Sequence, residues 1–392
     1  GSASVRDEDE QAGCVVGEPG DDRTALFSID VIEIPRADPA ASRIISSPRV
    51  FADAQTGAVA GLWLGGDHGA GTQRTSQTNQ CHDITVFPSR NLAAGACSGN
   101  GIIFDISDPR NPVRIDDVTD PGFAYWHSAT FDNEGETVLF TDEWGGGGRP
   151  RCQTTDPRNW GANAFYDIVD NQLERRGTYK LPAAQSAREN CVAHNGSIVP
   201  VPGRDIFVQA WYQGGISVID FTDPNTPHEI AYFDRGPMSD TGFQFGGFWS
   251  AYWYQGRIYG TEIARGLDVL ELAPSQYLSE TELAAASLAD QGNTFNPQRQ
   301  TPVTWPAHPT IARAYVEQLT GSGGLTADAA TQLNAALDQA LPLIEAGSSD
   351  ATVAARLRGL AEGLTVAGDD RATTRRASAL RETLSGIAVR LS

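Results

Sequence analysis

Short apolar segments with period-two alternation recur along the first two thirds of the chain. Each carries an acidic residue near its centre, and several end in a turn that contains proline. Alternation of this kind between turn residues predicts β-strands, and its recurrence predicts a repeat architecture. The copies cover residues 28–34, 101–109, 215–224 and 266–272, with a degenerate copy at 164–170.

A second recurring unit precedes the first and begins with a histidine or, in one copy, a tryptophan. Its copies cover residues 82–86, 127–131, 194–198 and 249–253, and a further strand follows each of them, at 92–97, 138–144, 206–211 and 258–263. With weaker outer strands such as 229–233, these units make up the antiparallel strands of a propeller blade. We therefore predict an all-β propeller. Five acidic-centred segments favour five blades, and the unassigned residues 52–80 leave six or seven as alternatives.

After Pro274 the composition changes to Ala, Leu, Glu, Asp and Arg with helical periodicity. Ser279 and Glu282 have the spacing of a capping box, and Thr326 precedes a long amphipathic run. We interpret this part as a small α-helical bundle with a packing or spacer role. The predicted organisation is an N-terminal extension, a propeller and a helical C-terminal bundle, at residues 1–24, 25–274 and 275–392.

The formal net charge of −20 disfavours nucleic acid and anionic membrane surfaces as partners, because a polyanion is repelled at long range. No apolar run reaches the length of a membrane-spanning helix. The chain begins Gly1-Ser2, which is typical of a cleaved tag and compatible with the removal of a native signal peptide. We expect a secreted or extracellular protein, with the cell surface as one location.

Five cysteines allow two disulfides and one free thiol, which favours an oxidising compartment. Hairpin counting places Cys81 directly opposite Cys97, within reach of a cross-strand disulfide. A Cys152–Cys191 disulfide would tie the glycine-rich insertion across the next blade. Cys14 is then free or competes for Cys81, and a Cys97 thiolate is an alternative metal ligand.

Three of the four inner-strand units begin with histidine, namely His82, His127 and His194. The inner strand of a blade borders the propeller axis, so residues at matched positions should converge there. Neutral imidazoles held in such a ring suit a transition metal. We predict that the three histidines bind Cu, Fe, Zn or Mn. A polar plug or a structural metal site in the channel is the alternative.

Two glutamates are predicted to reach the same end of the blades. Hairpin counting places Glu143 opposite His127, and Glu262 opposite Trp249. Because the blade of Glu262 lacks a histidine, Glu262 is the predicted fourth metal ligand. Glu143 is predicted to orient an imidazole or to act as the general base.

Other residues at this rim are candidates for a supporting role. His68, in a glycine-rich loop, is a further candidate metal ligand, whereas His228 and His308 are predicted to be surface residues. Aromatic side chains at the mouth of a propeller can wall a pocket for a small molecule or a carbohydrate. The candidates are Trp126, Trp144, Trp211, Tyr212, Phe248 and Trp249.

The segments "GIIFDISDPRNP" and "GISVIDFTDPNTP" resemble LVIVD repeats, which occur in secreted and surface proteins of bacteria. The resemblance covers roughly residues 25–272; it implies a propeller and names no reaction. The string "HSATF...VLFTDEWG" is also similar to the selenium-binding, methanethiol-oxidase propellers, whose metal histidines lie on inner strands. Carotenoid oxygenases are similar in placing four histidines on a propeller axis. The other motifs of both families are absent, so neither substrate carries over.

These observations predict a secreted metal-binding propeller that acts as a metal-dependent enzyme. The metal would activate water or dioxygen while Glu143 handles protons, and a histidine-rich site favours redox chemistry. Hydrolysis or elimination of a polysaccharide is an alternative that calls for more paired carboxylates. The alternative from another class is a non-enzymatic scaffold that displays its rim to a cell-surface polymer or protein.

Overall fold

The computed structural model describes residues 15–17, 19–21 and 23–392. Cys14 and Gly1-Ser2, on which two of the sequence predictions fall, lie outside the described residues. Within the described part, the strands lie between residues 31 and 270 and the α-helices between 280 and 390, on either side of the predicted junction after residue 274. No helix described here is both long and apolar enough to cross a membrane.

Three four-stranded antiparallel sheets form the centre of the molecule. The first contains β5 (Asp83–Phe87), β6 (Leu92–Cys97), β7 (Asn100–Asp105) and β8 (Val113–Val118). The second contains β9 (Trp126–Phe131), β10 (Thr137–Asp142), β11 (Asn163–Val169) and β12 (Gln172–Tyr179). The third contains β13 (Gly196–Val199), β14 (Ile206–Ala210), β15 (Ile216–Asp220) and β16 (His228–Phe233). Strand order in each sheet follows the chain, as it does in a propeller blade.

The fourth sheet has three strands, β17 (Phe248–Tyr254), β18 (Arg257–Glu262) and β19 (Gly266–Leu270). The described residues thus form a propeller arrangement of four blades, and the predicted number of five is not confirmed. The remaining acidic-centred segment, 28–34, contains β1 (Val31–Glu33), which pairs with β2 (Arg43–Ser46). A further hairpin joins β3 (Gly66–Asp67) to β4 (Arg74–Thr75).

The residues before the first blade cover it instead of adding a four-stranded blade. Phe27 and Phe51 are almost fully buried and belong to one apolar cluster with Ile102 and Phe104 of β7. Burying these large side chains against a finished sheet removes the apolar surface that a further blade would have covered.

The inner hairpins depart from the register that counting from the turn predicts. In β5–β6, Asp83 pairs with Ala96, one residue away from the register that places Cys81 directly opposite Cys97. In β17–β18, an irregularity before the last pair leaves one residue of β17 unpaired, so Glu262 lies opposite Phe248 and not opposite the predicted Trp249. In β9–β10, the regular part pairs Phe140 with Ala129, which is already one residue off the predicted register. An irregularity then pairs Trp126 with Asp142, so Glu143 does not lie opposite the predicted His127.

Both predicted disulfides are present, Cys81–Cys97 and Cys152–Cys191. Because Cys97 is disulfide-bonded, it has no thiolate to offer a metal. Two disulfides are consistent with the predicted extracellular location. The first of them fixes the residue next to His82.

Lys180, the single lysine of the sequence, packs against the second disulfide. Its Nζ donates hydrogen bonds to the carbonyl oxygens of Gly161 and Cys191, at 2.8 and 2.7 Å, and lies 3.0 Å from Cys152 Sγ. None of these partners is a carboxylate. Burial therefore lowers the pKa of Lys180 to about 7.

We expect the free energy of unfolding to rise by about 2 kcal/mol between pH 7 and 8.5, relative to a Lys180→Met variant. The unfolded chain keeps the lysine proton up to its ordinary pKa of 10.5, whereas the folded protein releases it near 7. In this window the unfolded state binds more protons, so stability increases with pH. Urea unfolding of both proteins at both pH values measures the effect, and parallel pH dependence in the two would contradict it.

The C-terminal part forms helices α1 (Glu280–Ser287), α2 (Pro309–Gly321), α3 (Ala327–Glu345), α4 (Ala351–Glu362) and α5 (Arg371–Arg390). Ser279 and Glu282 form the predicted capping box, and Thr326 caps α3 by accepting a hydrogen bond from Ala329 N. The apolar faces of the helices meet in one core that includes Leu333 and Leu384. A helical bundle is thereby confirmed.

Arginines of α5 join this bundle to the propeller. Arg371 Nη2 lies 2.9 Å from a carboxylate oxygen of Asp132, and Arg375 Nη1 lies 3.3 Å from one of Asp205. Asp132, Glu134 and Asp205 are close enough together to hold a cation. Arg375 also pairs with Glu134, so guanidinium groups already neutralise this cluster.

The chain between α1 and α2 lies across one end of the inner strands. Arg299 forms a parallel bridge with Val86 of β5, and the Gln300 side chain exchanges hydrogen bonds with the backbone of Phe131 in β9. Both contacts are at the ends of the strands, away from the residues with which the inner-strand units begin. The segment also reaches the start of β5, where Gln298 Nε2 donates hydrogen bonds to the carboxylate of Asp83, the residue after His82.

Candidate functional site

The three histidines at the starts of the inner-strand units lie side by side. The ring centroids of His82 and His127 are 3.9 Å apart, and those of His127 and His194 are 4.2 Å apart. His127 and His194 are fully buried, and His82 is partly exposed. Residues more than forty positions apart in sequence are thus brought into contact by the blade repeat.

Glu143, which directly follows β10, lies against two of these imidazoles. Its Oε2 is 3.7 Å from His127 Nε2, and its Oε1 is 3.6 Å from His194 Nε2. The Tyr212 hydroxyl donates a 2.7 Å hydrogen bond to Oε1. One ligand atom each from His82, His127 and Glu143 lie within 4.8 Å of one another, close enough to share a metal ion.

Backbone carbonyls determine which nitrogen of two imidazoles carries the proton. His82 Nδ1 lies 3.0 Å from the carbonyl oxygen of His127, and His194 Nδ1 contacts the carbonyl oxygen of Trp249. A carbonyl oxygen only accepts, so Nδ1 is the donor in both rings. In the neutral form Nε2 then carries a lone pair, which is the usual arrangement in a metal-binding histidine.

Several buried nitrogens of this cluster lack a hydrogen-bond partner among the described residues. They are Nδ1 and Nε2 of His127 and Nε2 of His194. An unpaired buried polar atom costs about 1–3 kcal/mol, so native proteins rarely keep one without a reason. Two of them, Nε2 of His127 and Nε2 of His194, lie within 4 Å of the Glu143 carboxylate, so this cluster is the candidate binding site.

The pKa values of two imidazoles of the cluster, His127 and His82, and of the Glu143 carboxyl group are all lowered. Burial lowers the pKa of His127 well below its ordinary value, and the neighbouring His194 and His82 lower it further. Burial also lowers the pKa of His82. For Glu143, burial raises the pKa, but the neighbouring His194 imidazole, the Tyr212 hydroxyl and the His82 imidazole outweigh it, and the pKa falls below its ordinary value.

Asp142 positions Glu143 by anchoring the turn after β10. Its buried carboxylate accepts hydrogen bonds from the backbone N–H groups of Ala124, Tyr125, Trp144 and Gly161. Trp144 adopts a positive φ of 34°, which reverses the chain directly after Glu143. Burial raises the pKa of Asp142 to about 6, although these N–H donors favour its charged form.

Glu262 has the same role in the fourth blade that Asp142 has in the second. The bulges place both residues opposite the first residue of the inner strand. The carboxylate of Glu262 accepts hydrogen bonds from the N–H groups of Gly247, Ala264 and Arg265. Its oxygens are engaged by the backbone, and the structure does not place it among the grouped ligand atoms.

The other histidines have separate partners. His68 stacks on Trp63 with a centroid distance of 3.9 Å, and its Nε2 lies 3.1 Å from Thr75 Oγ1. His228 is exposed at the start of β16, and His308 caps α2 through Thr310 N. None of the three belongs to the histidine–glutamate cluster.

Tyr212 is predicted from the sequence as a rim aromatic, but its hydrogen bond to Glu143 is not. Tyr212 has a positive φ of 48° just after β14, as Trp144 has after β10 and Ser98 has after β6. Both Ser98 and Tyr212 bridge to the inner strand of the following blade. An alignment of the repeats that continued past the second strand of each blade would have placed Tyr212 at a contact between blades.

An open pocket of about 670 Å³ lies next to the cluster. Glu143 and Tyr125 lie on its wall, and the ring of Tyr125 meets His82 edge-on at 5.9 Å. Other lining residues are Arg74, Arg149, Arg151, Trp144 and Trp160. A molecule in this pocket would therefore face the histidines across Glu143 and Tyr125.

No family model matches this sequence, and no curated protein matches it. Solved structures do match, among them the computationally designed Ika4 protein, with 12% identity, a TM-score of 0.31, and 54% of this chain and 99% of that one covered. A protein from Lactobacillus plantarum is 13% identical over 63% of this chain and 64% of its own, with a TM-score of 0.38. A "putative 6-phosphogluconolactonase" from Bacteroides uniformis is 14% identical over 62% and 76%, with a TM-score of 0.33. With TM-scores this low, none of them indicates what this chain binds or catalyses.

Proposed function

We propose that His82, His127 and His194 bind a transition-metal ion and that the protein is a metal-dependent enzyme. The observation that carries the proposal is the set of buried imidazole nitrogens without partners, gathered around the Glu143 carboxylate. A cation would satisfy these lone pairs and the carboxylate together. Three imidazoles leave a coordination position open, which is typical of catalytic rather than structural metal sites.

Glu143 is the proposed general base. The Tyr212 hydroxyl donates to its Oε1, and Oε2 lies 3.7 Å from His127 Nε2. Its lowered pKa leaves the carboxylate ionised at neutral pH, which is the form that a general base needs. A bound Cu, Fe, Zn or Mn would supply Lewis-acid or redox activation of water or dioxygen, and the histidine-rich donor set favours a redox metal.

The wider setting of this proposal is a secreted bacterial propeller of the LVIVD-repeat kind. It is supported by the repeat segments that form β7 and β15 and by the two disulfides. The similarity to selenium-binding propellers supports only the placement of metal histidines on inner strands.

Elemental analysis of the protein, purified without a histidine tag, is expected to find about one transition-metal ion per chain. Glu143→Gln should weaken metal affinity by about 10–100-fold, because outer carboxylates that touch metal-binding imidazoles have effects of this size. Glu262→Gln should leave metal affinity unchanged, since its backbone partners lie outside the cluster. Glu174→Gln, on the outer strand β12, is a control for loss of charge.

Metal-free protein after exposure to each of the four ions would contradict the proposal, and so would a larger effect of Glu262→Gln than of Glu143→Gln. Finding zinc alone would contradict the redox assignment and retain a hydrolytic one.

The second candidate function is a binding propeller without metal. It is favoured by the 3.6 Å contact between His194 and Glu143, which a protonated His194 would satisfy as an ion pair.

A further inference from the structure

The pocket beside Glu143 carries positive charge in a strongly acidic protein. Arg74, Arg149 and Arg151 line it, and Glu143 is the one acidic residue on the same wall among the residues that line it. None of the three arginines forms an ion pair in the part of the chain that the structure describes. With a net charge of −20 on the whole chain, a pocket of this composition attracts anions that the rest of the surface repels.

Two of these guanidinium groups converge on one point. A Cβ atom placed on Gly145 would lie 3.5 Å from Arg151 Nη2 and 3.6 Å from Arg149 Nη2. A Cβ on the next residue, Gly146, would lie 3.7 Å from Glu143 Oε1. Both glycines have a positive φ of 79°, which other residues rarely adopt, so the backbone leaves this space open. Two guanidinium groups that flank one open position can both donate hydrogen bonds to a carboxylate placed there.

Aromatic rings form the remaining walls of the pocket. Trp144 and Trp160 meet edge to face with a centroid distance of 5.2 Å, and Arg151 lies 4.3 Å from the centroid of the Trp144 ring. The Arg151 side chain is thereby held in place before any ligand arrives. Trp144 is buried beneath Arg151, whereas Trp160 and Tyr125 are partly exposed and can contact an apolar face of a ligand. A volume of about 670 Å³ suits a small molecule.

We propose that this pocket binds a small cyclic carboxylate, whose carboxylate contacts Arg149 and Arg151 and whose ring lies against the partly exposed Trp160 and Tyr125. The inference rests on the proposed function and adds its substrate class, because the bound ring would lie beside Glu143 and Tyr125. An aromatic acid and a uronic acid both carry a carboxylate on a six-membered ring.

The test is calorimetric titration of the full chain, both metal-stripped and metal-loaded, with 4-hydroxybenzoate and with galacturonate. At least one of the two acids should bind, and whichever binds more tightly identifies the source of the ring. The neutral 4-hydroxybenzamide should bind at least about tenfold more weakly than 4-hydroxybenzoate if the aromatic acid is preferred. Arg149→Gln should weaken acid binding about tenfold, and Arg149→Gln with Arg151→Gln should abolish it. Arg36→Gln, which removes an exposed charge outside the pocket lining, should leave binding unchanged.

Binding of neither acid overturns the proposal, as does binding that Arg149→Gln and Arg36→Gln weaken equally. Inorganic phosphate that binds as tightly as either acid would show a general anion site and would also overturn the carboxylate assignment. The metal-stripped arm separates the two proposals. Acid binding without metal supports the pocket even if the histidines bind no ion, whereas metal binding without acid binding removes the pocket assignment alone.

Discussion

His127→Ala is expected to reduce bound metal from about one ion per chain to less than about a tenth of that amount. His127 is the central ring of the three, and no hydrogen bond holds either of its nitrogens. Its replacement removes a ligand and leaves a gap between the His82 and His194 rings. Elemental analysis after dialysis against each of the four candidate ions measures the loss.

His127→Phe separates the loss of a ligand from the loss of volume. Phenylalanine fills the buried space without a nitrogen, so the metal-free variant should be at least as stable as metal-free wild type, since unpaired polar atoms are removed. Saturating metal should stabilise wild type by about 4 kcal/mol at a thousand times its Kd, and leave the variant unchanged. Equal stabilisation of both proteins would contradict a site at His127. His228→Ala, at an exposed histidine, controls for surface binding.

Arg204→Met is expected to lower the free energy of unfolding by about 3–5 kcal/mol. Arg204 is 11% exposed and pairs with Asp220, at the end of β15, and with Glu282, in α1. Both carboxylates are about as buried as the arginine, and Glu282 also accepts a hydrogen bond from Ser279 N. Removal of the cation leaves two buried negative charges without their partner, and it removes a link between propeller and bundle.

Chemical denaturation of wild type and variant measures this effect. Arg313→Met is the matched control, because Arg313 pairs with Asp338 at a site where the acid is 66% exposed, and surface pairs of this kind contribute at most about 1 kcal/mol. Similar losses of unfolding free energy in the two variants would show that the buried Arg204 ion pairs stabilise the protein no more than an exposed pair does. A separate unfolding transition for the helices in Arg204→Met would indicate that the link holds the two parts together.

Matched repeat positions were sufficient to group the histidines, and the hairpin pattern brought Cys81 and Cys97 close enough to predict their disulfide. The disulfide is present although the β5–β6 ladder pairs Asp83 with Ala96, one residue away from the register that counting gives. The alternation of apolar and polar residues that identifies each inner strand also indicates where the strand unit begins, and the histidines stand at these positions. The capping box at Ser279 depends on four adjacent residues, so it too was visible without tertiary information.

The acidic residues near the site show where such counting stops working. The bulges in β9–β10 and β17–β18 shift the register at the site end of the hairpins, and they place Asp142 opposite Trp126 and Glu262 opposite Phe248. Glu262 then matches Asp142, which binds backbone N–H groups, and not Glu143, which contacts the imidazoles. A bulge is not encoded by alternation of apolar and polar residues, because it depends on how neighbouring strands close around the turn.

The sequence by itself determined the strand repeats, the helical part, the disulfide partners and the convergence of His82, His127 and His194, because each depends on local periodicity or on matched repeat positions. Only the tertiary structure decided the number of complete blades, the hydrogen bond of Tyr212 to Glu143 and the gathering of Arg74, Arg149 and Arg151 around one pocket. These features depend on contacts between blades and loops that are distant in sequence. The physical reason is that a repeat pattern specifies the pairing within a blade, whereas packing between blades is set by side chains that no repeat position defines.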